Sequence, residues 1–321
     1  MTMAEADKDL GYTLAVDTMV ERSETMAPVP GLVLKDRYLL IKEIGRGGQS
    51  LVFKARDLVA AKAGLSKADV ALKIITAGPE IEPDFVALMH REARRLRDLV
   101  HPNIVRVYDM DRVQNLHFMV MEYLEGDTLS SFLRKAEDRK LELAQVIRLV
   151  QDLGSALEFA HANGIIHSDL KPGNVFVQTD GSVKLIDFNI SAPIAPSLRK
   201  DEEDTIRILI RLGAITPSYA SPQRLEGHEP CAADDVFSLA VMVYLCLAGR
   251  RPFGPKNALE AMEASVQPER PEHLSSAQWT ALMKGLAFDD AGRTPEVTNF
   301  VTSFAAQRQS AADWIRSQLS W

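Results

Sequence analysis

Two short apolar stretches, each broken by polar residues at fixed intervals, constrain this chain more than any other feature. Ile165-Ile166-His167-Ser168-Asp169-Leu170-Lys171-Pro172-Gly173-Asn174 is followed shortly by Ile186-Asp187-Phe188-Asn189. An acid, a lysine, an amide and a second acid, carried on strand-like apolar residues, suit the handling of a nucleoside triphosphate and its metal. The carboxylates and the amide are hard oxygen ligands, and the lysine sets a charge against phosphate. Alone, His-x-Asp-x-x-x-x-Asn is only moderately specific. The rest of the chain has to supply its partners.

Upstream, Tyr38–Ile44 and Leu51–Ala55 read as two strands around the tip Gly45-Arg46-Gly47-Gly48-Gln49-Ser50. Glycines there let backbone N–H groups approach phosphates that a Cβ would hold off. A strand, not a helix, follows the glycines, which disfavours a dinucleotide-binding fold. Past a polar insertion around Ala60–Asp69, Val70–Ile75 is a β-branched run interrupted by Lys73. A lysine within a strand needs its ammonium paired, and the candidate is Glu92 on the helical pattern of Phe85–Leu99; the alternative is a lysine snorkelling to the surface. Arg91, Arg94, Arg95 and Arg97 on that helix read as a solvated face, and His101 as a capping or packing residue. Val120–Gly126 is strand then turn. Leu141–Ala162 has helical periodicity stopped by Asn163-Gly164, and delivers the chain to the 165–174 stretch.

Lys73, Glu92, Asp169, Lys171, Asn174, Asp187, Thr216 within Ala214-Ile215-Thr216-Pro217-Ser218-Tyr219-Ala220-Ser221-Pro222-Gln223, and Asp235 together resemble the bacterial Hanks-type serine/threonine protein kinases. The likeness covers most of the chain and extends to the short soluble kinases of type VI secretion clusters. It implies an α+β, two-lobed protein kinase fold: a small antiparallel-sheet N-lobe with helix C over a larger, mostly α-helical C-lobe. The implied divisions are a flexible extension 1–36, a kinase domain 37–305 (N-lobe 37–121, hinge 122–124, C-lobe 125–305) and a helical tail 306–321. The implied reaction moves the γ-phosphate of ATP to protein Ser/Thr hydroxyls with Mg²⁺, or Mn²⁺ in its place.

By the same resemblance, Asp169 orients the acceptor hydroxyl and Lys171 neutralises the γ-phosphate. Thr216 bonds both, Lys73 paired with Glu92 holds the α- and β-phosphates, and Asn174 and Asp187 ligate the metal. Nucleotide contacts fall to Ile44, Gly45, Arg46, Gly47, Gly48, Gln49, Ser50, Val52, Ala71, Lys73, the gatekeeper Met121, the hinge residues Glu122 and Leu124, and Phe176. His167 is assigned to packing with Phe188 and Leu96.

Departures from the pattern carry their own expectations. Ser50 stands for the last glycine of the loop, and Asn189 for the glycine after Phe188, where asparagine tolerates a left-handed backbone. Ser168 replaces the arginine beside Asp169, so activation should depend less on a loop phosphate. Gln223 replaces the glutamate expected to pair with Arg293, which should weaken that anchor without removing it. The acidic run Asp201–Asp204 before Thr205 is a solvated loop or a phosphate mimic. Two rivals follow: a pseudokinase scaffold, motivated by these departures, and a small-molecule phosphotransferase, which would lack the Thr-Pro-x-Tyr segment.

A net charge of −7 argues against a general nucleic-acid binder. Cys231 and Cys246 have no metal or disulfide spacing, which fits a reducing cytoplasm. The apolar run Leu239–Ala248 is too short to span a bilayer, and the polar start does not resemble a signal peptide. Thr18 and Thr25 each follow an acid, a chance repeat in a tail or a pair of phosphorylation sites for a forkhead-associated domain. Trp314 and Trp321 make the last segment amphipathic, fit to pack on the lobe or a partner.

Overall fold

Alternation of side chains across an antiparallel sheet decides which residues face the cleft. The computed structural model describes residues 26–47, 50–75, 96–188 and 216–306. Strands β1 (Val33–Leu34), β2 (Tyr38–Arg46), β3 (Ser50–Asp57), β4 (Asp69–Ile75), β5 (Val107–Val113) and β6 (Leu116–Glu122) form one sheet in the order β1-β2-β3-β4-β6-β5. Val52 lies opposite Lys73, and Ala71 opposite Met121. Opposed residues share a face, so these four look to one side, while Phe53, Leu72 and Val120 look to the other. That second face is buried with Leu40, Ile74 and Phe118 in the N-lobe core. A slip of one residue would bury Lys73 and expose Leu72, so the core itself fixes the register.

The sheet begins earlier than the expected boundary at 37. Gly31 N–H donates to Leu40 O (2.8 Å), Leu40 N–H to Leu32 O (2.9 Å), and the Met26 N–H reaches Asn115 Oδ1 (3.1 Å). Leu34 is fully buried. Lys35 and Asp36 turn the chain with φ of 54° and 52°, closed by Arg37 N–H to Leu34 O. That tight hairpin has no glycine, and β1 is two residues long, too short to show a period in the sequence. Residues 26–36 are therefore part of the N-lobe. The polar insertion after β3 contains a short helix, α1 (Leu58–Lys62), capped by Asp57 Oδ1 accepting from Val59 and Ala60 N–H.

The larger lobe holds a three-stranded sheet, β7 (Gly126–Thr128), β8 (Val175–Gln178) and β9 (Val183–Leu185), and the helices α2 (Leu129–Lys135), α3 (Leu143–Ala162), α4 (Pro222–Leu225), α5 (Ala232–Ala248), α6 (Ala258–Glu263), α7 (Ser276–Gly285) and α8 (Val297–Ala305). α5 is buried on every side from Val236 to Tyr244, which makes it a central core helix. Burial pushes its Cys246 thiol up to about 12, so the cysteine is an inert packing residue. Among the described residues no helix is long and apolar enough to cross a membrane.

The strand entering β5 is stitched to β9. Leu185 N–H donates to Asn103 O and Val105 N–H to Leu185 O (2.8 Å each), and Asn103 Nδ2 donates to Val183 O (2.9 Å). His101 accepts from Asn103 N–H and stacks on Phe159 of α3, the packing role expected of it.

Candidate active site

One buried carboxylate organises the loop from Ile165 to Asn174. Asp235, in the first turn of α5, is fully buried. Its Oδ2 accepts from His167 N–H (2.8 Å) and meets His161 Nε2 (2.7 Å), while Oδ1 accepts from Ser168 N–H (2.9 Å). These bonds hold Ser168 at φ 64°, a left-handed backbone that costs a non-glycine residue about 1 kcal/mol or more. His161 is not marked in the sequence, because a single histidine on an amphipathic helix carries no signal. Its place on α3 facing Asp235 is a tertiary fact.

His167 is fully buried and lies 4.9 Å from the Phe188 ring, with Leu96 in the same cluster. Burial lowers its pKa, so the ring is neutral and packs.

Asp169 is held from three directions. Oδ2 accepts from Lys171 Nζ (2.5 Å) and Asn174 Nδ2 (3.2 Å), and Oδ1 accepts from Thr216 N–H (3.0 Å). Lys171 Nζ also donates to Thr216 Oγ1 (2.7 Å). Asn174 Nδ2 donates to Asp169 O as well, and Asn174 O accepts from Ile186 N–H (2.9 Å each). That last bond sets the Asn174 backbone beside Asp187. The left-handed turn falls on Asp187 itself, at φ 60°; Asn189 lies outside the described residues.

Lys73 Nζ forms an ion pair with Asp187 Oδ1. Desolvation raises the Asp187 carboxyl, but the Lys73 ammonium, helped by Lys171, more than reverses this and holds it below the usual carboxylate range. Glu92, Gly48 and Gln49 lie outside the described residues, as do Arg91, Arg94, Arg95, Asp201–Asp204, Thr18, Thr25, Trp314 and Trp321.

The shared face of β3, β4 and β6 brings Val52, Ala71, Lys73 and Met121 together, with Gly45 opposite Val52 on β2. Gly47 N–H donates to Ser50 O (2.8 Å) and closes the tip; Ile44 is exposed, and the Arg46 guanidinium is held by Glu43 (2.7 and 2.9 Å). Glu122 spends its N–H on Arg106 O (2.9 Å) and its carboxylate on Lys184 Nζ (2.6 Å), so its carbonyl is what it can offer a base. Leu124 follows in the connecting segment, and Phe176 lies in β8 opposite Lys184. Among the described residues no group of three His, Cys, Asp or Glu side chains could hold a metal alone. A cation held by one or two carboxylates plus phosphate oxygens needs no such group.

Beyond Thr216, Gln223 Oε1 accepts from Arg293 Nη2 (2.6 Å), the partner expected from the sequence, and both side chains donate to Phe288 O (2.8 and 3.0 Å).

Residues 38–311 match the protein kinase domain model. The chain belongs to the protein kinase family. Its two lobes are those of the protein kinase fold, and the pairings around Asp169 and Lys73 sit in the cleft that this fold provides. The kinase chain is 30% identical over 285 residues to a probable serine/threonine-protein kinase PknB of Lactococcus lactis, covering 86% of this chain and 42% of that protein. It is 36% identical over 224 residues to the serine/threonine-protein kinase PknB of Mycobacterium leprae, 68% and 34% respectively. It is 28% identical over 249 residues to the serine/threonine-protein kinase PrkC of Bacillus subtilis, 78% and 36%. The chain thus matches less than half the length of each of these three relatives.

Proposed function

We propose that this kinase transfers the γ-phosphate of ATP to serine and threonine hydroxyls of proteins, with Mg²⁺ as its working cation. The observation that carries the reading is the Asp169 carboxylate, fixed by Lys171, Asn174 and Thr216 together. Phosphoryl transfer is mostly positioning and charge stabilisation, and each described side chain has a part in it. Asp169 orients the acceptor hydroxyl and takes up its proton. Lys171, already between Asp169 and Thr216, places its charge beside the transferring group. Lys73 leaves Asp187 to hold phosphate oxygens.

Asn174 commits its amide nitrogen to Asp169, so its oxygen is the atom it offers to a cation, next to the Asp187 carboxylate. When bound there, the cation neutralises phosphate charge. The stretch from Thr216 to Gln223 faces the acceptor peptide. The relatives' names, serine/threonine-protein kinase, support the class of acceptor.

The test is turnover of a generic protein substrate with Mg-ATP, read by mass spectrometry at Ser and Thr. Asp169→Ala should lose about 10³-fold in turnover while remaining folded. Equal phosphate incorporation by the two proteins would refute the role of Asp169.

For a partner, we propose a forkhead-associated domain reading phosphorylated Thr18 or Thr25, supported by the acid that precedes each threonine. Phosphorylated peptides of the two segments should bind such a domain and the unphosphorylated ones should not; equal binding removes the proposal.

A further inference from the structure

Arg293 is a cation with no exposed side-chain surface. A guanidinium stays protonated in proteins, and a buried charge without a counter-charge is costly. Its hydrogen bonds go to neutral acceptors: Nε to Ala287 O (2.9 Å), and Nη2 to Gln223 Oε1 and Phe288 O. None of these balances the charge. Nη1 makes no hydrogen bond, but two carboxylates lie near it, Asp290 at 3.2 Å and Asp234 at 3.7 Å.

The two differ in environment. The Asp290 side chain is 61% exposed, so water screens it, whereas that of Asp234 is 3% exposed and acts through protein interior. Asp234 also accepts from Ser221 Oγ (2.6 Å) through Oδ1 and from Cys231 N–H (2.9 Å) through Oδ2. It therefore joins the start of α5, the segment that begins at Thr216, and Arg293.

We propose that Asp234, and not Gln223, supplies the charge that anchors Arg293, and that it is thereby a positioning residue for the substrate-facing segment from Thr216 to Leu225. Two adjacent acids on one helix then divide the work. Asp235 holds the loop that carries Asp169, and Asp234 holds the segment that carries Thr216. The inference rests on the protein-phosphorylating function proposed above, so its experiment includes a readout independent of activity.

Three variants of the full chain decide it: Gln223→Glu, Asp234→Asn and the double variant. Gln223→Glu gives up the Nε2 bond to Phe288 O and, with Arg293 already balanced, gains no charge that Arg293 needs, so alone it should raise the melting temperature by no more than about 2 °C. Asp234→Asn should lower the melting temperature and raise KM for a protein substrate about fivefold or more, with KM for ATP within about twofold. Adding Gln223→Glu returns a carboxylate to Arg293 from the other side. The double variant should melt above Asp234→Asn and regain the wild-type KM for the protein substrate to within about twofold.

If Asp234→Asn does not fold, recovery of soluble protein in the double variant is the same rescue. A rise of about 5 °C or more in Gln223→Glu alone would show an unbalanced Arg293 and overturn the proposal. So would a double variant no better than Asp234→Asn, or an equal rise in both KM values. Should the wild type transfer no phosphate, the functional reading fails while the melting temperatures still decide the question of charge.

Discussion

Lys73 reaches from β4 to Asp187, just beyond β9, and closes an ion pair between the two lobes. The Lys73 ammonium thus favours the charged form of Asp187 before any ligand arrives. In Lys73→Met the Asp187 carboxyl loses its main counter-charge, and desolvation then acts on it against the weaker pull of Lys171. Phosphotransfer should fall by about 10²–10³-fold. The acid midpoint of Mn²⁺ binding, followed by water-proton relaxation, should move to higher pH than in the wild type. An unmoved midpoint would show that Lys73 does not set the ionisation of Asp187.

His161 donates its ring to Asp235, whose other two bonds hold the backbone of His167 and Ser168. His161→Phe keeps most of the packing and removes one of the three partners of a fully buried carboxylate, a loss of about 1–3 kcal/mol. The melting temperature should drop by a few degrees, and turnover should fall because Ser168 is less firmly kept in its left-handed backbone. Differential scanning calorimetry and steady-state kinetics check the two parts separately. A melt identical to the wild type would remove His161 from the network.

What the sequence reveals and what it hides divide along physical lines. The register of β3, β4 and β6 is legible because Leu72 and Lys73 cannot both be inside, helix α3 because its apolar residues repeat, and α5 because its apolar run is too short to be anything but a buried helix. Asp169, Lys171, Asn174 and Thr216 are legible because their chemistry needs fixed spacing, and the structure brings them within hydrogen-bonding reach. The N-lobe boundary is hidden because a two-residue strand closed by Lys35 and Asp36 has neither period nor glycine. Asp234 and His161 are hidden for a different reason. Each matters only through a partner far away in the chain, Arg293 for one and Asp235 for the other.

Asp57 makes the stability of the N-lobe insertion depend on pH. Desolvation raises its carboxyl, yet Arg37 and the N–H groups of Ala60 and Val59 outweigh it and leave the pKa below that of an unfolded chain. A depressed native pKa contributes stability that is complete above the unfolded value of about 3.9 and is lost as pH falls through the native value. Asp57→Asn should therefore melt below the wild type at pH 7, with the gap closing only at pH values under about 4. Melting curves from pH 7 down to 3 check this. A gap that stays constant with pH would mean that charge has no part in the cap.

Gly285, at the end of α7, offers a test in which two effects of opposite sign compete. In an exposed helix, replacing glycine by alanine stabilises by about 1 kcal/mol. Here a Cβ would stand 2.8 Å from both Ala240 Cβ and Phe300 Cε2, each fully buried, and overpacking of that kind costs about 1–3 kcal/mol. Crowding should win, so Gly285→Ala should unfold at lower denaturant than the wild type. Ala240→Gly removes one of the two obstacles and should recover part of the loss when combined with it. A stabilising Gly285→Ala, measured by urea titration with an unchanged m-value, would show that α5, α7 and α8 can separate at little cost.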